Sequence, residues 1–220
     1  MGLAPIWRLK RRPQAAAAPV SAGAAQAGGS REEAIARMDW PTLKAAVKGC
    51  TACGLRAGCT QTVFGVGDES ARWLLVGEAP GAEEDRLGEP FVGQAGKLLD
   101  NMLAAIGLAR GKEVYIANVL KCRPPGNRNP EPDEVVKCSP YLARQVELIR
   151  PKLIVAMGRF AAQTLLNTDA TIGSLRGTVH RYRDVPLIVT YHPAYLLRNL
   201  PDKAKAWADL VFAKKTIANA

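Results

Sequence analysis

Four short apolar runs recur along the chain: RWLLV from Arg72, VYIANV from Val114, KLIVAM from Lys152 and PLIVTY from Pro186. Each is too short for a core helix and rich in β-branched residues. None alternates apolar with polar. That pattern fits strands buried on both faces, which occur where helices cover both sides of a parallel sheet. The intervening segments read as helices. KLLDNMLAAIG sets Leu98, Leu99, Met102, Leu103 and Ile106 on one face, with Gly107 as a stop. SPYLARQVELI offers Ser139 as a cap and Pro140 at the first helical position. RFAAQTLL and DKAKAWADLVFAKK supply two more, and residues 173–187 read as a strand-and-turn interruption. The alternation predicts an α/β fold with an open, mainly parallel central sheet.

The first 30 residues differ from the rest. They contain no acidic residue, carry Arg8, Lys10, Arg11 and Arg12, and pass into an Ala/Gly-rich stretch that reads as a linker. We read residues 1–30 as a basic tail and 31–220 as the folded domain. Ser30 and Glu33 have capping-box spacing for one helix through about Val47. The tail is expected either to have no specific role or, through Trp7 and its basic run, to dock a replication or repair protein or DNA. Hydrophobic content of 48% is ordinary for a folded chain. No apolar run reaches membrane-spanning length, and an intracellular monomer is expected. Lys and Arg number 30 against 20 Asp and Glu, a net charge of +10 that favours a polyanionic partner.

In such sheets ligands bind beyond the carboxyl ends of the strands. The first run leads into GEAPG (Gly77 to Gly81). The second carries Asn118 near its end. The third leads into Met157-Gly158 and the last into Tyr191-His192-Pro193. A glycine-rich turn, a carboxylate, an amide and an imidazole are thereby expected in one crevice. Taken singly, each has a structural reading as a turn, a cap or a hydrogen-bonded histidine. Five cysteines in a reducing compartment point to metal or redox chemistry rather than disulfides. Four thiols suit either tetrahedral zinc or an iron–sulfur cluster, and spacing alone does not choose.

Three long motifs carry a resemblance. VGEAPGAEEDRLGEPFVGQAGKLLD, YIANVLKCRPPGNRNPEPDE and HPAYLLRN, in that order, resemble the family 4 uracil-DNA glycosylases, the iron–sulfur type, from about Lys48 to Lys215. The resemblance implies a three-layer αβα sandwich and a repair enzyme that hydrolyses the N-glycosidic bond of uracil in DNA. Free uracil leaves and an abasic site remains. It implies a [4Fe-4S] cluster on Cys50, Cys53, Cys122 and Cys138, with Cys59 as a spare thiol. It implies a uracil pocket at Gly77, Glu78, Ala79, Phe91, Asn118 and His192, and a role in excluding thymine for Glu84.

The chemistry of those residues is coherent. Phe91 is placed to stack on a flipped base. An Asn118 amide can accept from uracil N3–H and donate to O4, the opposite of what cytosine needs. His192 is placed to stabilise charge growing on uracil O2, and Glu78 is the candidate to position water. Leu196 or Leu197 is expected to wedge into the gap left by the base, with Arg198, Arg123 and Arg128 on phosphates. A superfamily relative that binds uracil-DNA covalently, through a His in an inserted basic loop, is the rival. The stretch NVLKCRPPGNRNPEPDE has no such insertion and no His.

Overall fold

The structure, a computed structural model, describes residues 26–219, with side chains from 31 onward. The expectations for the basic tail and Trp7 fall outside the described residues, but residues 26–30, expected as the end of the linker, are helical. Three helices come first: α1 (Gln26–Ala36), α2 (Trp40–Lys48) and α3 (Leu55–Gly58). Then follow β1 (Val66–Gly67), β2 (Trp73–Gly77), α4 (Ala82–Leu87), α5 (Gln94–Ala105), β3 (Val114–Asn118) and α6 (Pro132–Ile149). The chain continues through β4 (Leu153–Met157), α7 (Arg159–Leu166), α8 (Ile172–Leu175), β5 (His180–Tyr182), β6 (Val185–Thr190), α9 (Pro193–Leu196) and α10 (Asp202–Ala218).

The strands form one sheet in the order β1-β3-β2-β4-β6-β5. The four apolar runs are its parallel centre, and β1 and β5 close the edges antiparallel. Every residue of β2, β3 and β4 is buried. Their side chains alternate between two layers. Leu74, Val76, Ile154 and Ala156 pack with Leu142 and Val146 of α6 and with Ala161 and Leu165 of α7. Trp73, Leu75, Val155 and Met157 face Leu99 and Leu103 of α5, and Leu210 and Ala213 of α10. Fully burying one such aliphatic side chain contributes roughly 1.5–3 kcal/mol, so two filled faces hold the sheet firmly. The result is a three-layer α/β sandwich. No helix among the described residues is long and apolar enough to cross a membrane.

Two helix boundaries differ from expectation. The region expected as one helix from Ser30 is two, and Ser30 lies inside α1. The break comes at Asp39, whose carboxylate accepts from Thr42 N at 2.9 Å and starts α2, with Pro41 in its first turn. Likewise α6 does not begin at Ser139. It starts seven residues earlier at Pro132, capped by Glu131 and Glu134, and Pro140 sits inside it. Proline cannot donate to the carbonyl four residues back. Ser139 Oγ donates to that carbonyl, Val136 O, at 3.1 Å instead. The hydroxyl replaces the missing bond, so the helix runs on and carries Cys138 within it.

One buried polar cluster fixes the end of β6. Asp209 of α10 accepts from Arg176 Nε at 2.7 Å and from Arg176 Nη2 at 2.9 Å. It also accepts from Thr190 Oγ1 at 2.8 Å. Arg176 in turn lies 4.7 Å from the centre of the Tyr191 ring, one residue before His192.

Candidate functional site

A cleft of about 580 Å³ opens at the carboxyl ends of the parallel strands. Glu78, Ala79, Phe91, Asn118 and His192 line it, as do Glu84 and Arg198. Gly77 lies beneath. It pairs with Asn118 across β2 and β3, and the ladder continues as Gly77 O accepts from Val119 N at 3.0 Å. A Cβ at position 77 would sit 2.6 Å from Phe91 Cζ and collide with Asn118 Oδ1. Only glycine lets the ring and the amide close over the strand end.

Asn118 is 2% exposed, and its Oδ1 is a buried acceptor with no hydrogen-bond partner among the described residues. Leaving such a group unpaired costs about 1–3 kcal/mol. A ligand donor is the natural complement.

His192 caps α9, its Nδ1 accepting from Ala194 N at 3.1 Å. That bond places the ring proton on Nε2. Burial, with the Arg198 charge adding to it, pushes the imidazole down to about 4. At neutral pH His192 is therefore a neutral N–H donor. Its ring centre lies 5.4 Å from that of Phe91. Burial pushes the Glu78 carboxyl up to about 7, with the positive charge of Arg159 opposing.

Glu84 lines the cleft, but its carboxylate is occupied. It accepts from Val92 N at 2.9 Å, Gly93 N at 3.1 Å and Gly81 N at 3.1 Å. It clamps the loop that carries Phe91.

The expected DNA contacts divide. Leu197 is 42% exposed, whereas Leu196 is wholly buried, so Leu196 belongs to the core and is not a wedge. Arg128 lines the cleft, yet its guanidinium forks onto Glu134, with Nη1 3.0 Å from Oε2 and Nη2 2.5 Å from Oε1. Glu131 adds a contact at 3.2 Å. Arg128 thus locks the start of α6, and its charge is largely answered within the fold. Arg123 Nε donates to Asn127 Oδ1 at 2.7 Å, stiffening the same loop. Arg159, Phe160 and Tyr195 also line the cleft and were not anticipated. Arg159 directly follows Gly158 at the end of β4, so the strand-end rule did point at it.

Cys50, Cys53, Cys122 and Cys138 line one small cavity beside Val47, Leu55 and Tyr141. They come from the end of α2, the exit of β3 and the middle of α6. Lys121 N donates to Cys138 Sγ at 3.3 Å. The buried Lys121 ammonium donates to Asn118 O at 2.9 Å and to Gln145 Oε1 at 2.6 Å, both neutral oxygens. Burial pushes Cys138 up to about 11, with Lys121 opposing. Cys59 is outside this lining. It is buried close to the Cys122 thiol, its Sγ 3.8 Å from Arg56 O.

The sequence matches the Uracil DNA glycosylase superfamily over residues 64–211. A protein of Archaeoglobus fulgidus named Type-4 uracil-DNA glycosylase is 52% identical over 159 residues, covering 69% of this chain and 79% of its own length. One of the same name from Thermotoga maritima is 45% identical over 155 residues, covering 70% and 80%. A Type-5 uracil-DNA glycosylase of Thermus thermophilus is 36% identical over 135 residues, covering 55% and 59%.

Proposed function

The chain belongs to the type-4 uracil-DNA glycosylases of the uracil-DNA glycosylase superfamily, and from that premise we propose how it acts on DNA. It binds uracil-containing DNA, turns the uracil out of the stack and hydrolyses its N-glycosidic bond. The observation that carries this reading is the unpaired, buried Asn118 Oδ1 in a cleft shared with a neutral His192 donor.

Flipping a base costs a few kcal/mol, and stacking on Phe91 returns roughly 1–3 kcal/mol of it. Asn118 Oδ1 accepts from uracil N3–H while its amide N–H donates to O4. Cytosine would set its N3 acceptor against Oδ1, a mismatch that discriminates by roughly 10⁴-fold. As the glycosidic bond breaks, negative charge gathers on the uracil ring and positive charge on the sugar. His192 Nε2–H donates to O2, stabilising the leaving anion without giving up its proton. Glu78, once ionised, orients the attacking water and takes its proton. Arg198 and Arg159 at the cleft face the phosphates, and Leu197 fills the vacated stack.

Four thiols around one cavity suit either one zinc ion or a [4Fe-4S] cluster, and we read them as holding the cluster that the resemblance to the type-4 enzymes implies. In a cluster each thiolate takes a different iron, so four sulfurs around one cavity suffice. Thiolate ligation would also supply the negative charge that the buried Lys121 ammonium lacks among its oxygen partners. When bound, the cluster supplies four iron–thiolate bonds that cross-link α2, the β3 exit and α6. The 118–138 segment then holds Asn118 at one end and Cys138 at the other.

The test is release of free uracil from single- and double-stranded oligonucleotides by catalytic amounts of protein, with iron and acid-labile sulfide measured on the same sample. We expect turnover with iron and sulfide in equal amounts. Protein that carries the cluster, binds uracil-DNA and releases no uracil overturns the enzymatic reading. Active protein holding zinc overturns only the cluster.

A further inference from the structure

Phe91 has a left-handed backbone, φ 55°, uncommon for an aromatic residue. That conformation lays the ring over Gly77 and toward His192. It must be held from outside, because nothing in the residue itself favours it. Two groups hold it, and they are complementary. The Glu84 carboxylate takes the N–H groups that follow Phe91, those of Val92 and Gly93. A guanidinium takes the carbonyls on the other side. Arg110 Nη1 donates to Pro90 O at 2.8 Å, and Arg110 Nη2 donates to Phe91 O at 2.7 Å. Arg110 is itself oriented by Asp100, whose Oδ1 accepts from Nε at 3.1 Å. Phe91 O lies so close to α5 that any side chain at Gly96 would strike it. The carbonyl is thus packed against α5, and Arg110 supplies its donor.

Arg110 sits between α5 and β3 and is not part of the cleft wall. We propose that Arg110 is a positioning residue for the uracil ring: it fixes the strained Phe91 backbone, and thereby the face on which the base stacks. The proposal rests on the stacking role assigned to Phe91. A forked donor is needed, since one planar guanidinium reaches two successive carbonyls and a lysine ammonium reaches one well. Because the ring is a binding surface, loosening it acts first on uracil affinity and only then on the bond-breaking step.

The test is a double-mutant cycle on the holoprotein, with Arg110→Met, Phe91→Ala and the pair. The readouts are kcat and KM on a uracil oligonucleotide, and inhibition by free uracil. A misplaced binding group lowers kcat/KM by roughly 10- to 100-fold. We expect Arg110→Met to do so mainly through KM, and to weaken free-uracil inhibition by the same factor. In the Phe91→Ala background the same change should add little, because its target is gone. Arg110→Lys, which keeps the charge and protects the fold, should recover only part of the loss and runs the same cycle if Arg110→Met does not fold. Equal losses in the two backgrounds overturn the proposal, as does uracil inhibition unchanged by either Arg110 variant. Phe91→Ala protein that binds uracil like wild type overturns the stacking role and this proposal with it. Loss in Phe91→Ala with an additive Arg110 effect removes this proposal alone.

Discussion

Two buried polar groups near the ends of the parallel strands have opposite fates. Asp209, beside the last residue of β6, accepts three hydrogen bonds from Arg176 and Thr190. Asn118, the last residue of β3, keeps an oxygen that accepts none from the described residues. Both are almost wholly buried. A buried acceptor left unpaired is unfavourable, and folding alone gives no reason to retain it. Asp209 is finished by the fold, whereas on the proposed reading Asn118 is finished by what enters the cleft. Full pairing marks a structural group, and a buried vacancy for a donor marks a binding one.

The largest effect is expected where the comparison is sharpest. Asn118→Ala should lower kcat/KM on uracil-DNA by roughly 10⁴-fold, since it removes the pairing to uracil N3–H and O4. Its unfolding free energy should barely fall, because no protein hydrogen bond of Oδ1 is lost. Asp209→Ala should do the reverse. It strands the Arg176 guanidinium and should cost about 3 kcal/mol of stability. Excision per folded molecule should change far less. Chemical denaturation and single-turnover excision on both variants decide. If Asn118→Ala proves as unstable as Asp209→Ala, the distinction between the two groups collapses.

The sequence carried what depends on neighbours in the chain and little of what depends on neighbours in space. The central strands were legible as unbroken apolar runs because helices cover both faces. β1 was not, being two residues long and half glycine. Asp39 and Pro41 held the signal for the break between α1 and α2, but the capping-box spacing of Ser30 and Glu33 drew attention elsewhere. Ser139-Pro140 imitates a helix start, and only the bond from Ser139 Oγ to Val136 O shows why it is not one. The rule that ligands gather at strand ends pointed at Asn118 and His192, which the structure brings into one cleft. The burial of Leu196 and the commitment of Arg128 to Glu134 are set by packing, so no motif announces them. Arg110 meets Phe91 from 19 residues away, and nothing in its local sequence marks that contact.

Glu78 extends the comparison to a charge. Its carboxyl is raised to about 7 by burial, with the Arg159 charge opposing. If it works as the base, it must be ionised, so kcat/KM should fall tenfold per pH unit below about 7. His192, neutral down to about 4, contributes no limb in that window. Glu78→Gln should lower the rate by roughly 10²-fold and flatten the profile between pH 5 and 8, a loss typical of removing a general base. The sign for stability is opposite. A carboxyl whose folded pKa lies above its unfolded value penalises the fold once pH rises through that interval. Glu78→Gln should therefore be more stable than wild type at pH 8 and nearly equal to it at pH 4. A wild-type profile still flat below pH 6 removes Glu78 as the base.

The smallest effect tests the same contrast with apolar groups. Leu196 and Leu197 are adjacent, and the fold buries one completely while leaving the other 42% exposed beside Arg198. An exposed leucine next in the chain to the cleft-lining Arg198 is unsatisfied in the apolar sense, as Asn118 Oδ1 is in the polar one. On the wedge reading, its burial between separated base pairs of duplex DNA helps keep the uracil out. In single-stranded DNA there is no opposing stack to hold open. Burying a leucine side chain fully is worth roughly 1.5–3 kcal/mol, and partial burial in a stack recovers less. Leu197→Ala should therefore slow excision from duplex DNA by about tenfold, which corresponds to about 1.4 kcal/mol. Excision from single strands should change by less than about twofold, and the unfolding midpoint should not move. Leu196→Ala should lower the unfolding midpoint and leave the ratio of duplex to single-strand rates unchanged. If Leu197→Ala slows both substrates equally, the exposed leucine is no wedge, and exposure at this loop must be explained by something other than DNA.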